Sequence, residues 1–428
     1  MKVIENSKVK EKLYIEKLEN GLKIMIIPKK DIQKKYIIWG TNYGSNESTF
    51  IVPGETEITK VPDGVAHYLE HKLFEQRTGR NSLDVLTEIG VNANAYTTND
   101  HTAYLYECTD NFYEALDEFM DYVQNPYFTD ENVEKEKGII GQEIMMYDDY
   151  PDWKVYLNAI QAMYHKYPIR IDTAGTVESI SHITKETLYK CYNTFYNPSN
   201  MTLVVSGDFE PEKILDEIKK RLLDIKGTGE IKRIYPEEPK EILKEYVEQE
   251  MEVSRPLYTI GIKDEPFEKN AIQEEKVKKH IAIEILLDVI FGESSKLYKE
   301  LYNKGIILDK PSMDYEFSRG YAHITLAGQA NDPKIVYDSF KKEIKRLKKE
   351  GINEKEFLRL KKTVYGEYVK EYNDVADIAR MFLADSFKGI NSFEYLNQIQ
   401  NVDLNYATEI FNKVFDENKM VLSIVKGK

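Results

Sequence analysis

Two stretches of this chain are variations on one pattern. "ITKETLYKCYNTFYNPSNMTLVVSGD" (Ile183 to Asp208) and "VDLNYATEIFNKVFDENKMVLSIVKG" (Val402 to Gly427) align without a gap when Met201 is placed on Met420. Ile183 then meets Val402, Phe195 meets Val414, Tyr196 meets Phe415, Leu203 meets Leu422 and Val205 meets Ile424. Each stretch reads as an amphipathic helix, a short polar connection and an apolar strand. The offset is close to half of the 428 residues. A repeat that long points to a duplicated domain of roughly 200 residues, an ordinary size for one domain.

The rest of the pattern mixes both periodicities. "KLYIEKLENGLKIMIIPKK" reads as two strands joined at Asn20-Gly21, and "KKYIIWGTNYGS" (Lys34 to Ser45) as another strand. Helical spacing starts from Gly64, Ser82 and Asn111, and "VNANAYTTNDHTAYLYEC" (Val91 to Cys108) alternates in strand fashion between them. The expected class is α+β, with two tandem, structurally repeated α/β sandwich domains. Charges, glycines and prolines interrupt both periodicities in "GTGEIKRIYPEEPKEILKEY" (Gly227 to Tyr246). The division expected is therefore residues 1–228, a linker at 229–245, and residues 246–428.

Composition removes several function classes. Hydrophobic residues make up 42% and charged residues 31%, with no apolar run near the ~18 residues of a membrane span. The first twenty residues lack the apolar core of a signal peptide, so a cytoplasmic location is expected. A net charge of −14 argues against a general nucleic-acid binder. Cys108 and Cys191 provide neither a disulfide framework nor a CxxC knuckle and read as core thiols. The lysine run Lys341 to Gly351 reads as the solvated face of a helix, with Ile344 and Leu347 turned inward.

Only seven histidines occur, and two of them fall in "GVAHYLEHKLFE" (Gly64 to Glu75). On a helix His67, Glu70 and His71 project together. The plain reading is two half-buried imidazoles on an amphipathic helix. The chemical reading is a zinc site, because two neutral imidazoles four apart can grip one ion beside a carboxylate. H-x-x-E-H is the inverted form of the zinc-protease motif H-E-x-x-H. A third ligand is needed, and "ENVEKEKGIIGQEIMMYDD" (Glu131 to Asp149) offers Glu136 and Glu143 two helical turns apart. Gly138 weakens that helix by about 1 kcal/mol relative to alanine. Ile139, Ile140, Ile144, Met145 and Met146 give Glu143 an apolar setting, which is costly for a carboxylate without a partner. His101 in "TNDHTAY" reads as an ordinary surface or core residue, with contact to a substrate as the alternative; His165, His182, His280 and His323 have no partner at metal-ligand spacing, and Asp148 and Asp149 read as a helix end before Pro151.

"HYLEH", followed some seventy residues later by "EKGIIGQE", resembles the pitrilysin, insulin-degrading and mitochondrial-processing peptidase family. "NANAYTTNDHTAY" (Asn92 to Tyr104) is similar to that family's substrate-binding edge strand. "YNPSNMTLVVSGDF" (Tyr196 to Phe209) is similar to the strand closing its first domain. The resemblance is strong in the first half of the chain and loose in the second. It implies one Zn2+ per chain, held by His67, His71 and Glu143. It makes Glu70 the general base and Glu136 a carboxylate supporting the ligand set. Asn94 and Ala95 take the place of the peptide-holding positions, which implies unfolded peptide or precursor-peptide substrates.

One part of the family pattern is missing. Its second domain supplies an arginine and a tyrosine in a stretch resembling L-R-E-K-x-G-L-A-Y. Here the matching segment is "ELYNKGIILDKPSMDY" (Glu300 to Tyr315), with Tyr302 in the arginine's place and Leu308 or Asp309 near the tyrosine's. Arg319 and Tyr321 follow at a different spacing. The resemblance therefore implies the zinc-bearing subunit of a two-chain enzyme, completed by a related subunit, with a homodimer as the alternative. A non-catalytic structural or presenting subunit of the same fold is the competing class.

Overall fold

The computed structural model describes residues 1–427. The chain divides into two compact units. Unit one holds Met1–Ile144, Ile171–Tyr235 and Glu371–Ser392; unit two holds Met145–Arg170, Pro236–Lys370 and Phe393 onward.

Unit one is built on a seven-stranded sheet. Its strands are β1 (Lys2–Asn6), β2 (Glu11–Lys17), β3 (Lys23–Pro28), β4 (Lys35–Thr41), β7 (Asn92–Thr97), β8 (Thr102–Cys108) and β9 (Met201–Gly207). The spatial order is β1-β2-β3-β9-β4-β8-β7. A small three-stranded sheet takes β5 (Thr49–Ile51), β6 (Ile58–Lys60) and β10 (Lys232–Arg233). The expected hairpin at Asn20-Gly21 joins β2 to β3, and Gly21 has a φ of 94°, which a side chain would resist. Every residue of β9 is buried, which explains its unbroken apolar sequence.

Unit two repeats this plan. Its five strands are β11 (Tyr246–Glu250), β12 (Leu257–Asp264), β13 (Ser312–Ser318), β14 (Tyr321–Gln329) and β15 (Met420–Lys426), in the order β11-β15-β12-β14-β13. β15 is parallel to β11 and antiparallel to β12, just as β9 is parallel to β3 and antiparallel to β4. The helices Lys185–Phe195 and Leu404–Val414 precede these central strands at the same offset that places Met201 on Met420. The duplication read from the sequence is present in strand order, strand sense and register.

Each unit also contains a helix from the other half of the chain. Pro151–Met163 belongs to unit two, where Val155 packs with Leu257 and Val425. Val375–Phe387 belongs to unit one. A glycine makes room in each case. A Cβ on Gly40 would lie 2.9 Å from Leu383 and 3.1 Å from Phe387, and one on Gly261 would lie 2.7 Å from Met163. Gly40 pairs with Thr202 and Gly261 with Val421, which are equivalent positions of the repeat. A contiguous division at 229–245 does not contain this exchange, because an amphipathic pattern shows that a helix has a buried face and not which sheet receives it.

Other expectations have clear counterparts. Ile344 and Leu347 are buried on the helix Pro333–Glu350, and Cys108 and Cys191 are buried and unbridged. Among the described residues no helix is long and apolar enough to cross a membrane.

His323 on β14 carries a stability consequence. It is buried, its Nδ1 lies 3.0 Å from the Tyr164 hydroxyl, and burial pushes its pKa down to about 3. Below its ordinary value of about 6.5 the unfolded chain binds a proton that the native imidazole refuses. Stability therefore falls as pH drops from 6.5 towards 3. Between pH 7 and pH 5 this residue alone accounts for about 2 kcal/mol. Denaturant midpoints at the two pH values should move apart in the wild type, and by less in His323→Gln.

Candidate metal centre

The motif helix runs Val65–Leu73, entered through Gly64 at a φ of 91°. A Cβ on Gly64 would come within 2.4 Å of the Ala174 carbonyl oxygen, so only glycine fits that entry. Val65, Ala66, Tyr68, Leu69 and Leu73 anchor the helix in the core of unit one. The second element is the helix Asp130–Asp148, which passes through Gly138 without a break. Val133, Ile140 and Ile144 bury its inner side, and the Tyr68 hydroxyl donates to the Val133 carbonyl. The two helices are thereby tied together, with Glu136 and Glu143 facing the histidines.

One ligand atom from each of His67, His71 and Glu143 lies within 4.8 Å of the other two. The Glu143 Oε1 is 3.7 Å from His67 Nε2, and its Oε2 is 3.4 Å from His71 Nε2. Glu136 approaches the opposite nitrogen, with its Oε1 3.1 Å from His71 Nδ1. Glu70 is nearly buried, and its Oε2 accepts from the Thr97 hydroxyl at 2.6 Å. The five residues expected at the centre are brought together.

The groups at the centre shift one another's protonation. Burial, with neighbouring His71, drops the His67 pKa to about 4. Burial acts on His71 too, but its bonds to Glu136 and Glu143 outweigh that and raise it to about 9. Burial raises Glu70 against the Thr97 bond. Glu136 is lowered, the pull of His71 and Lys72 overcoming burial, and Glu143 is lowered chiefly by its bond to His71. Two imidazoles and a carboxylate are the donor set of a catalytic zinc site. Ligands at ~2.0–2.1 Å in a tetrahedron stand about 3.4 Å apart, close to the spacing between Glu143 and the two Nε2 atoms. His67 Nδ1 is buried without a partner, leaving Nε2 as the nitrogen turned towards Glu143. The residues fit zinc.

Asn94 and Ala95 lie on β7, at the edge of the sheet. The Ala95 N–H donates to the Asn94 side chain at 2.8 Å, so it points away from β8 to the unpaired side of the strand. Two residues with a hold on this centre were not singled out by the sequence reading. Thr97 ends the same strand and bonds Glu70 across 27 positions. Lys72, fully buried, reaches Glu136 and Glu75. The H-K step was visible in the sequence, but lysine is ordinarily a surface residue. In unit two, Tyr302 is half exposed on the helix Lys296–Asn303, and Tyr321 is buried with its hydroxyl on Glu316.

Comparison with known proteins gives the family of the chain. Residues 50–177 match the family model described as "Insulinase (Peptidase family M16)", and residues 182–364 match "Peptidase M16 inactive domain". The uncharacterized zinc protease YmfH of Bacillus subtilis is 38% identical over the full length of both chains. A probable mitochondrial-processing peptidase subunit beta of Arabidopsis thaliana is 30% identical over 37% of this chain and 30% of its own. The crystal structure of an M16-like peptidase from Alicyclobacillus acidocaldarius superposes with a TM-score of 0.93 at 33% identity, covering 99% of this chain and all of that one. The shared sequence, the two consecutive family matches and the duplicated fold agree: this chain belongs to the insulinase family, peptidase family M16.

Proposed function

We propose that this chain is a zinc-dependent endopeptidase that hydrolyses unfolded peptides held as an added strand along β7, with Glu70 as general base. The observation that carries this reading is the gathering of His67, His71 and Glu143 donor atoms within 4.8 Å beside the buried Glu70 carboxylate. His67, His71 and Glu143 would hold the zinc, which would supply the Lewis acidity to acidify a water and polarise a peptide carbonyl. Glu70 takes the proton from the attacking water and returns it to the leaving amine. Glu136, on His71 Nδ1, fixes the tautomer that leaves Nε2 for the metal. Asn94 and Ala95 hold the substrate backbone through the free edge of β7, which grips a chain without reading its sequence.

A related subunit completes the site with the arginine and tyrosine that do not stand at the family's positions in Glu300 to Tyr315, where Tyr302 takes the arginine's place and Leu308 or Asp309 the tyrosine's, and a homodimer is the alternative assembly. Mixing metal-replete chain with an unfolded protein and with the same protein folded tests the strand-addition reading. The unfolded form should be cut and the folded form spared; equal rates would contradict it.

Thr97 gives a finer check. Its hydroxyl bonds one oxygen of Glu70 and leaves the other for the water. Thr97→Val should slow turnover roughly 10–100-fold, the worth of a hydrogen bond to a charged group. Zinc affinity should be unchanged, and Thr97→Ser should recover most of the rate.

A further inference from the structure

The motif helix carries a cation that the chemistry above does not use. Lys72 lies three and four residues beyond Leu69 and Tyr68, on the side facing the core, and its side chain is fully buried. A buried ammonium costs several kcal/mol unless it is paired. Lys72 has two partners: Glu75 Oε2 at 2.7 Å and Glu136 Oε2 at 3.3 Å. The other oxygen of Glu136 is the one at His71 Nδ1. Glu136 is therefore held from both sides, and among the described residues Lys72 is its one ion-pair partner besides His71.

We infer that Lys72 is a positioning residue for the metal centre: it pins Glu136, and through Glu136 it sets the ring orientation of His71 before a metal arrives. This rests on the zinc reading of the site and goes beyond it. With Lys72 in place, Glu136 cannot swing towards Glu143 or turn its second oxygen to His71. The imidazole then keeps Nδ1 on Glu136 and Nε2 on the side of Glu143. The geometry of the donor set is fixed by this ion cluster when the chain folds, so metal binding does not have to order it. A lysine serving stability alone would have no such effect on metal affinity.

Removing Lys72 alone mixes two effects, because the loss of a nearby positive charge favours a divalent cation while the loosened Glu136 disfavours it. The test therefore uses the charge-conserving pair Lys72→Met with Glu75→Gln, which removes one charge of each sign and keeps side-chain length. Zinc affinity of the metal-free full chain is measured with a competing chelator, in the wild type, K72M/E75Q, E136Q and the triple variant, with apo melting temperature recorded alongside. The expected result is a 10–100-fold loss of affinity in K72M/E75Q, the usual worth of a partner that orients a ligand. In the E136Q background the same pair of changes should cost much less, because the group they act through is already altered. An affinity within about threefold of wild type in a folded K72M/E75Q overturns the inference, as does a full additional loss on top of E136Q. If the double variant does not fold, K72M is compared in the wild-type and E136Q backgrounds: the lost positive charge acts in both and cancels in the difference, so an equal effect of K72M in the two backgrounds overturns the inference and a greater loss of affinity in the wild-type background supports it. A wild type that binds no zinc sinks the zinc reading itself, whereas tight wild-type binding with unchanged variants removes only the role of Lys72.

Discussion

Glu70→Gln is expected to bind zinc as the wild type does and to cleave unfolded peptides more slowly by a factor of about 10²–10⁴, the range that general acid–base catalysis contributes. The amide has the size of the carboxylate and can still accept from Thr97 Oγ1, so the strand and helix keep their contact. It cannot take a proton from water. Glu70 is not among the three residues whose donor atoms cluster, so the metal should be retained. Metal analysis and turnover of the same sample check both halves. Loss of zinc along with activity would mean that Glu70 holds the metal and is not the base.

Glu143→Gln should have its largest effect one step earlier, on metal binding. Glu143 is the one charged donor of the three, and its two oxygens face His67 and His71 separately. A neutral amide in its place leaves two imidazoles and a weak donor. Zinc affinity should fall by more than the 10–100-fold that a supporting partner is worth, and activity should fall with it at limiting zinc. Excess zinc should restore part of the rate in this variant and none of it in Glu70→Gln. That contrast separates the ligand from the base.

The sequence made the centre legible because its parts are local. His67, Glu70 and His71 share one helical face, and Glu136 and Glu143 share another; spacing gives those two faces, and the family resemblance gives the role of each residue. Gly138 costs the second helix about 1 kcal/mol, and the buried Val133, Ile140 and Ile144 keep it whole. The repeat was legible for a similar reason, since a helix, a short connection and a strand recur in a fixed order. What escaped is the long-range pairing of ordinary residues. Thr97 reads as one more strand threonine until the fold sets it against Glu70, and Lys72 reads as a solvated lysine until its side chain is found among the core residues of the motif helix. The exchanged helices escaped too. Pro151–Met163 and Val375–Phe387 are amphipathic in sequence, but Gly40 and Gly261, which admit them, look like any strand glycine.

The catalytic claim can be tested most directly by mass spectrometry of an unfolded-peptide pool incubated with the purified chain, metal-free and then loaded with one zinc per chain. Internal cleavage that appears on loading, and disappears again with a chelator, is the result predicted for the chain or for its mixture with a related subunit. Cleavage that is the same with and without the metal would contradict the account, because His67, His71 and Glu143 would then be gathered for something other than the reaction.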